Sequence, residues 1–233
     1  MNIKKVSLLE GAKNARGHVI IIDVFRAFSV ACYVADKKPK QIVSTSSLES
    51  AYKLKNQNKN AILIGERGGK KIENASYGNS PTEIMDADLK DKIVIHTTSA
   101  GTQGLINAEK GLFVYSGSFL NAKAIADYLK FKKVQEVTLV AMGEAGVKKT
   151  DEDELCAEYI ESLLKDEPVY NTSIVERLKK TSSARFFKEE NQSFSPKSDF
   201  DLCLKFNSFD FILKAHRIQD DMVLLEKLDR EAW

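Results

Sequence analysis

Val19-Ile20-Ile21-Ile22-Asp23-Val24-Phe25-Arg26-Ala27-Phe28-Ser29 is the stretch that decides how this chain is read. Four β-branched apolar residues in succession carry no polar alternation, so Val19 to Ile22 reads as a strand covered on both faces, as in a parallel sheet flanked by helices. The run stops at a charge. Val24 to Val34 is compatible with a following helix, which puts Asp23 and Arg26 at the carboxyl end of a central strand, where open α/β sheets bind ligands.

Working outward, 233 residues with 43% hydrophobic content suffice for a sizeable core. The expectation is one α/β domain over residues 1–233, the part from about residue 166 forming at most a packed subdomain. A net charge of +2 provides no large field for gripping nucleic acid or an acidic membrane. The expected partner is a small molecule, with a homo-oligomer left open. No apolar run reaches the roughly 20 residues of a membrane helix, and the Met-Asn-Ile-Lys-Lys start has no signal-peptide apolar segment, so a cytoplasmic protein is expected. Cys32, Cys156 and Cys203 are odd in number and far apart, which reads as reduced core thiols rather than a disulfide framework. His18, His96 and His216 have no zinc spacing, so any metal would be held by oxygen.

In chain order, Lys5 to Leu9 reads as a strand with a hairpin-like entry into Val19. Further strands are expected at Gln41–Ser44, Ala61–Ile64, Lys92–Ile95, Leu112–Tyr115 and Val137–Ala141. Helical spacing occurs at Ser46–Gln57, Ala122–Phe131 and Glu152–Leu164, the first capped by Ser46 or Ser47. This alternation predicts a three-layer α/β/α fold with a largely parallel, doubly wound sheet, strand tips converging on one edge. The stretch between Glu66 and Lys92 reads as an irregular loop near the site. Thr172–Phe187 looks helical, Phe200–Phe206 is ambiguous, and Phe211–Ile218 with Met222–Glu226 suggests a closing pair of antiparallel edge strands.

Several strand ends carry anion chemistry. Arg26 and Arg67 offer planar forks for phosphate or sulfonate oxygens. Gly68 and Gly69 allow backbone N–H groups to approach an anion, and the Thr97-Thr98-Ser99-Ala100-Gly101-Thr102 turn precedes a helix, where N–H groups and dipole favour negative charge. Each feature also has a structural duty. Asp23 can serve as a helix cap, Arg67-Gly68-Gly69 as a turn, and Thr97 to Ser99 as a capping run. Thr150-x-x-Asp153 matches a capping pattern, and Asp151 to Glu154 complement a helix dipole. Asp153 is equally a ligand type that magnesium uses beside phosphate. His96 reads as a packed or hydrogen-bonded group.

Asp23-Val24-Phe25-Arg26-Ala27, Gly65-Glu66-Arg67-Gly68-Gly69, Gly78-Asn79-Ser80-Pro81, Thr97 to Thr102 and Glu152-Asp153-x-x-Cys156-Ala157 together resemble the 2-phosphosulfolactate phosphatase family, from Asp23 to about Cys203. Where that family commonly shows Thr-Asn-Gly-Thr, this chain has Ser99-Ala100-Gly101-Thr102. The resemblance implies a magnesium-dependent hydrolase that removes phosphate from 2-phosphosulfolactate, a step toward coenzyme M. On that reading Asp23, Arg26, Glu66 and Arg67 are the candidate catalytic residues. Asp23, Glu66 and Asp153 are the candidate Mg²⁺ ligands. Gly68, Gly69, Asn79, Thr97, Thr98, Ser99, Gly101 and Thr102 are the candidate substrate-binding residues. Either Asp23 attacks directly or Glu66 activates a water; both fit. A nucleotide-dependent oxidoreductase is disfavoured because no Gly-x-Gly-x-x-Gly follows a strand. The rival reading is a non-catalytic binder of a phosphorylated or sulfonated acid, using the same arginines and turns.

Overall fold

The computed structural model covers residues 1–233 and bears out the central strand. Gly17–Ile22 (β2) carries Val19 and Ile21 into one hydrophobic cluster and Ile20 and Ile22 into another, all four with no solvent exposure. Alternate residues of a strand point to opposite faces, so this split shows helices covering both sides. Burying each such side chain stabilises the fold by about 1.5–3 kcal/mol.

The other elements follow in order: β1 (Asn2–Ser7), α1 (Leu8–Asn14), then after β2 α2 (Ala27–Asp36), β3 (Gln41–Thr45), α3 (Leu48–Gln57), β4 (Ala61–Arg67), β5 (Lys70–Lys71), α4 (Pro81–Met85), β6 (Ile93–Thr97), α5 (Gly101–Asn107), β7 (Gly111–Gly117), α6 (Ala122–Phe131), β8 (Glu136–Ala141), α7 (Asp151–Leu164), α8 (Asn171–Lys180), α9 (Lys197–Cys203), β9 (Ile212–Gln219) and β10 (Met222–Leu228). Ser47 caps α3, its side chain accepting the Ser50 N–H. The three cysteines are buried and free. No helix is long and apolar enough to cross a membrane.

The sheet has ten strands in the order β1-β8-β2-β7-β9-β10-β3-β6-β4-β5. Neighbours within β1-β8-β2-β7 are parallel, as are those within β3-β6-β4. Four details differ from the sequence reading. The entry is not a hairpin: Leu8–Asn14 is helical, and β8 lies between β1 and β2. The 66–92 stretch includes the short β5, an antiparallel edge strand, and α4, which starts at Ser80-Pro81 with Ser80 accepting the Glu83 N–H. The helix expected over Thr172–Phe187 ends at Lys180, and Ala184–Phe187 is a separate 3₁₀ turn.

The β9–β10 hairpin is not an edge. It sits between β7 and β3 and pairs antiparallel on both sides. Ile212 and Leu213, fully buried on opposite faces, explain the central position: an edge would leave these apolar side chains less covered. The hairpin also reverses the direction of β3-β6-β4 relative to β1-β8-β2-β7, so the sheet is not a simple doubly wound one. In a flat sheet the two sets of strand ends would lie at opposite rims. Twist over the five steps from β2 to β6, roughly 100–125° at about 20–25° each, swings them toward one another.

Candidate active site

Asp23 follows β2, and both of its oxygens accept backbone N–H groups: Oδ1 from Ala27 at 3.1 Å and Oδ2 from Gly101, the first residue of α5, at 2.8 Å. Asp23 therefore accepts the first N–H of α2, whose N-cap is Arg26, and joins two distant strand ends. Glu66, near the end of β4, accepts from the Ser99 N–H at 2.7 Å on Oε1, and from the Gly69 N–H at 2.7 Å and Ser99 Oγ at 3.2 Å on Oε2. Gly68 and Gly69 make this turn at φ +59° and +82°, a region that favours glycine, and a Cβ at either would meet nothing within 4 Å. Asp153, in the first turn of α7, accepts the Val24 N–H at 2.8 Å on Oδ1 and the Gly143 N–H at 2.8 Å on Oδ2. The capping bond expected between Thr150 and Asp153 is absent: Thr150 makes no side-chain cap, and Asp153 turns inward to bind two loops instead.

These loops enclose a cleft of about 820 Å³ lined by Asp23, Arg26, Glu66, Gly68, Gly69, Asn79, Ser99 and Ala100 on the predicted side. Residues of the β8–α7 loop, of the α7 N-terminus and of the segment after α8 complete it. A second groove, of about 640 Å³, lies near the start of β3 and along β10; Glu226 and Asp229 are its only acidic lining residues.

Four carboxylates of the cleft, Asp23, Glu66, Glu152 and Asp153, are at most 6% exposed, and none forms a salt bridge. Burial, then Glu66 and Glu152 nearby, raise Asp23 to about 7 despite its two N–H donors. Burial, then Glu152 and Asp23, hold Asp153 well above the usual carboxylate range. Glu152 Oε2 is buried with no hydrogen-bond partner. The sequence reading placed Asp151 to Glu154 together on the helix dipole. All four line the cleft, but the structure divides them: Asp151 pairs with Arg177 and Glu154 with Ser7 and Lys149, while Glu152 and Asp153 are buried without a salt bridge.

Buried carboxyl groups without cation partners, two of them held toward the neutral form by burial, and an orphaned carboxylate oxygen are the donor chemistry that Mg²⁺ fits. No three acidic, histidine or cysteine side chains form a preformed cage. That is compatible with Mg²⁺, which keeps waters and takes one or two carboxylates together with substrate oxygens.

Arg26 lines the cleft but is largely committed. It is 3% exposed, pairs with Asp199 at 2.6 Å, and donates to Phe194 O at 2.7 Å and Gly69 O at 3.0 Å. Asn79 also lines the cleft, its Oδ1 lying 3.1 Å from His96 Nε2. His96 is buried, and that burial lowers it to about 4, so the ring is neutral.

Several predicted site residues are not brought to the cleft. Arg67 follows Glu66 in β4 and points the other way, donating to Thr97 Oγ1 at 2.8 Å and to Ser46 O. Thr97, Thr98, Gly101 and Thr102 are not among the lining residues: Thr98 and Thr102 are bonded to each other, and Gly101 lies behind Asp23, to which its N–H donates. The Thr97–Thr102 turn does hold anions, but they are the chain's own: its Ser99 and Gly101 N–H groups go to Glu66 and Asp23.

Sequence reasoning missed Glu152, Thr150, Ser182 and Arg185 as lining residues. Glu152 was visible within an acidic run, but nothing in its spacing distinguished it from Asp151 or Glu154. Arg185 comes from a turn after α8 and donates to Phe25 O at 2.6 Å, across 160 residues, a contact no local pattern reveals.

Residues 4–217 match the family described as 2-phosphosulpholactate phosphatase. A protein of Bacillus subtilis (strain 168), named probable 2-phosphosulfolactate phosphatase, is 30% identical over 199 residues, covering 84% of this chain and 86% of that protein. One of the same name from Thermoplasma volcanium is 30% identical over 193 residues, 83% of this chain and 86% of its own length. Another from Carboxydothermus hydrogenoformans is 36% identical over 173 residues, 72% and 69% of the two chains. The resemblance carried by the five motifs thus extends over nearly the whole sequence, and the chain belongs to the 2-phosphosulpholactate phosphatase family.

Proposed function

We propose that this protein is a Mg²⁺-dependent phosphomonoester hydrolase acting on 2-phosphosulfolactate, releasing phosphate and 3-sulfolactate in a step of the kind that leads toward coenzyme M. The observation that carries the reading is the set of four buried carboxylates without salt bridges, beside Arg26, in the cleft of a chain of this family. Glu152 and Asp153, with Asp23 beside them, would hold the cation. When bound, Mg²⁺ offsets the charge of the phosphate and polarises its P–O bonds.

The chain's own groups do the rest. Arg26, fixed by Asp199, presents its remaining N–H capacity to phosphate oxygens. Asp23 takes the proton of the water that attacks phosphorus. Raised by burial to about 7, it lies in the range where a carboxylate exchanges protons near neutral pH, and an adjacent cation would draw it back toward the ionised form. The water oxygen forms the new bond to phosphorus, the bond from phosphorus to the ester oxygen breaks, and the proton held by Asp23 passes to that oxygen. One water is consumed, and one phosphate and one alcohol are produced.

The test is phosphate release from 2-phosphosulfolactate by the purified protein, with Mg²⁺ and with EDTA. Mg²⁺-dependent release that Asp23→Asn lowers at least a thousandfold supports the reading. No release under any condition, with melting still raised by 3-sulfolactate, would replace it with the non-catalytic binder.

A further inference from the structure

We infer that Thr150, Ser182 and Arg185 form a subsite for a second anionic group, a sulfonate or carboxylate carried on the same molecule as the phosphate ester. The inference deepens the function proposed above and rests on it for the phosphate end of the ligand.

Seven side-chain polar atoms in the protein are buried without a hydrogen-bond partner, and four belong to residues of this one cleft: Thr150 Oγ1, Glu152 Oε2, Ser182 Oγ and Arg185 Nε. Glu152 is the acidic member and belongs with the cation. The other three are donors. Leaving such groups unpaired costs about 1–3 kcal/mol each, so a cluster of them beside a cleft points to a ligand that completes them.

All three donors belong to residues that line the cleft. Thr150 is the N-cap of the 14-residue α7 but caps nothing, leaving its hydroxyl available at the positive end of the helix. The segment after α8 is drawn against that helix end by Arg177, which pairs with Asp151 at 3.2 Å. Ser183, fully buried and bonded to Leu178 O, fixes the turn that carries Ser182. The Arg185 guanidinium is held by one amino group on Phe25 O at 2.6 Å and by its central carbon, 5.0 Å from the Phe186 ring centre. Its free Nε is therefore pre-positioned, which reduces the entropy lost on binding. The Ser99 and Gly101 N–H groups of the Thr97–Thr102 turn are already taken by Glu66 and Asp23, whereas Thr150 Oγ1, Ser182 Oγ and Arg185 Nε are uncommitted.

The experiment uses the full chain with Mg²⁺ and the variants Thr150→Val, Ser182→Ala and Arg185→Gln. It measures 3-sulfolactate affinity by titration calorimetry, and kcat/KM for 2-phosphosulfolactate against phenyl phosphate, which carries no second anion. We expect affinity for 3-sulfolactate to fall roughly three- to tenfold in each hydroxyl variant and at least tenfold in Arg185→Gln. The ratio of the two kcat/KM values should fall in parallel. Thr150→Val and Ser182→Ala should melt no lower than the parent protein, because the atoms removed bond to nothing, and these two keep the test valid should Arg185→Gln fold poorly. Unchanged sulfolactate affinity in all three variants, equal losses on both substrates, or a parent protein that does not bind 3-sulfolactate would each overturn the subsite. Selective loss of sulfolactate binding in a protein that releases no phosphate would uphold the subsite and overturn the phosphatase reading. Hydrolysis of 2-phosphosulfolactate with an unchanged ratio in every variant would do the reverse.

Discussion

Arg26 and Asp199, 173 residues apart, form a 2.6 Å ion pair with side chains 2% and 0% exposed. The other Asp199 oxygen accepts from Ser80 Oγ at 2.7 Å, the Thr82 N–H at 3.0 Å and Thr82 Oγ1 at 2.7 Å, so this carboxylate is fully satisfied. Asp199 is thus a positioning residue that aims Arg26 into the cleft and ties α9 to α4. Removing one member of a buried pair leaves the other charge uncompensated, so Asp199→Ala should destabilise the protein by about 3–5 kcal/mol in urea unfolding. The double variant with Arg26→Met should be less destabilised than the sum of the two single changes.

Asp23 makes stability depend on both pH and cation. Its folded value of about 7 lies above the ordinary 3.8, so its contribution to stability is fully present below pH 3.8 and is lost as pH rises through 7. A cation at the site reverses this, because it favours the ionised form. The rise in melting temperature on adding Mg²⁺ should therefore grow between pH 5 and pH 8. Thermal melts in EDTA and in Mg²⁺ across that range check it, and Asp23→Asn should flatten the trend.

His96 has the opposite sign. Lowered from 6.5 to about 4 by burial, the ring stays neutral in the fold while the unfolded chain takes up a proton below 6.5. Stability is lost as pH falls from 6.5 toward 4, by about 3 kcal/mol in total. His96→Gln removes this proton uptake and retains an amide donor toward Asn79. The difference in unfolding free energy between the variant and the parent protein should shift in favour of the variant by that amount between pH 7 and pH 4.

Gly101 is constrained by its neighbours. A Cβ there would lie 2.9 Å from Asp23 Oδ2, 2.9 Å from Ala27 Cβ and 3.0 Å from Phe28 Cζ. Gly101→Ala must displace the carboxylate or the helix start, so phosphate release should fall at least tenfold, with a stability loss of about 1–3 kcal/mol. Circular dichroism together with the phosphate assay separates the two effects.

The sequence by itself determined the strand–helix alternation, the buried central strand and the placement of Asp23, Glu66 and Asp153 at strand or helix ends. These are local matters, since uninterrupted β-branched residues, a charge at a strand end and glycines in a turn each state their conformation within a few residues. Only the tertiary structure decided that the β9–β10 hairpin is central, that Arg67 turns away from the cleft, and that the Thr97–Thr102 turn spends its N–H groups on Glu66 and Asp23. It alone brought Glu152, Ser182 and Arg185 to the same cavity as Asp23. The physical reason is that a donor's partner is chosen by proximity in space. Residue type limits what a group can bond to, while the packing of segments more than a hundred residues apart decides which of those bonds is made.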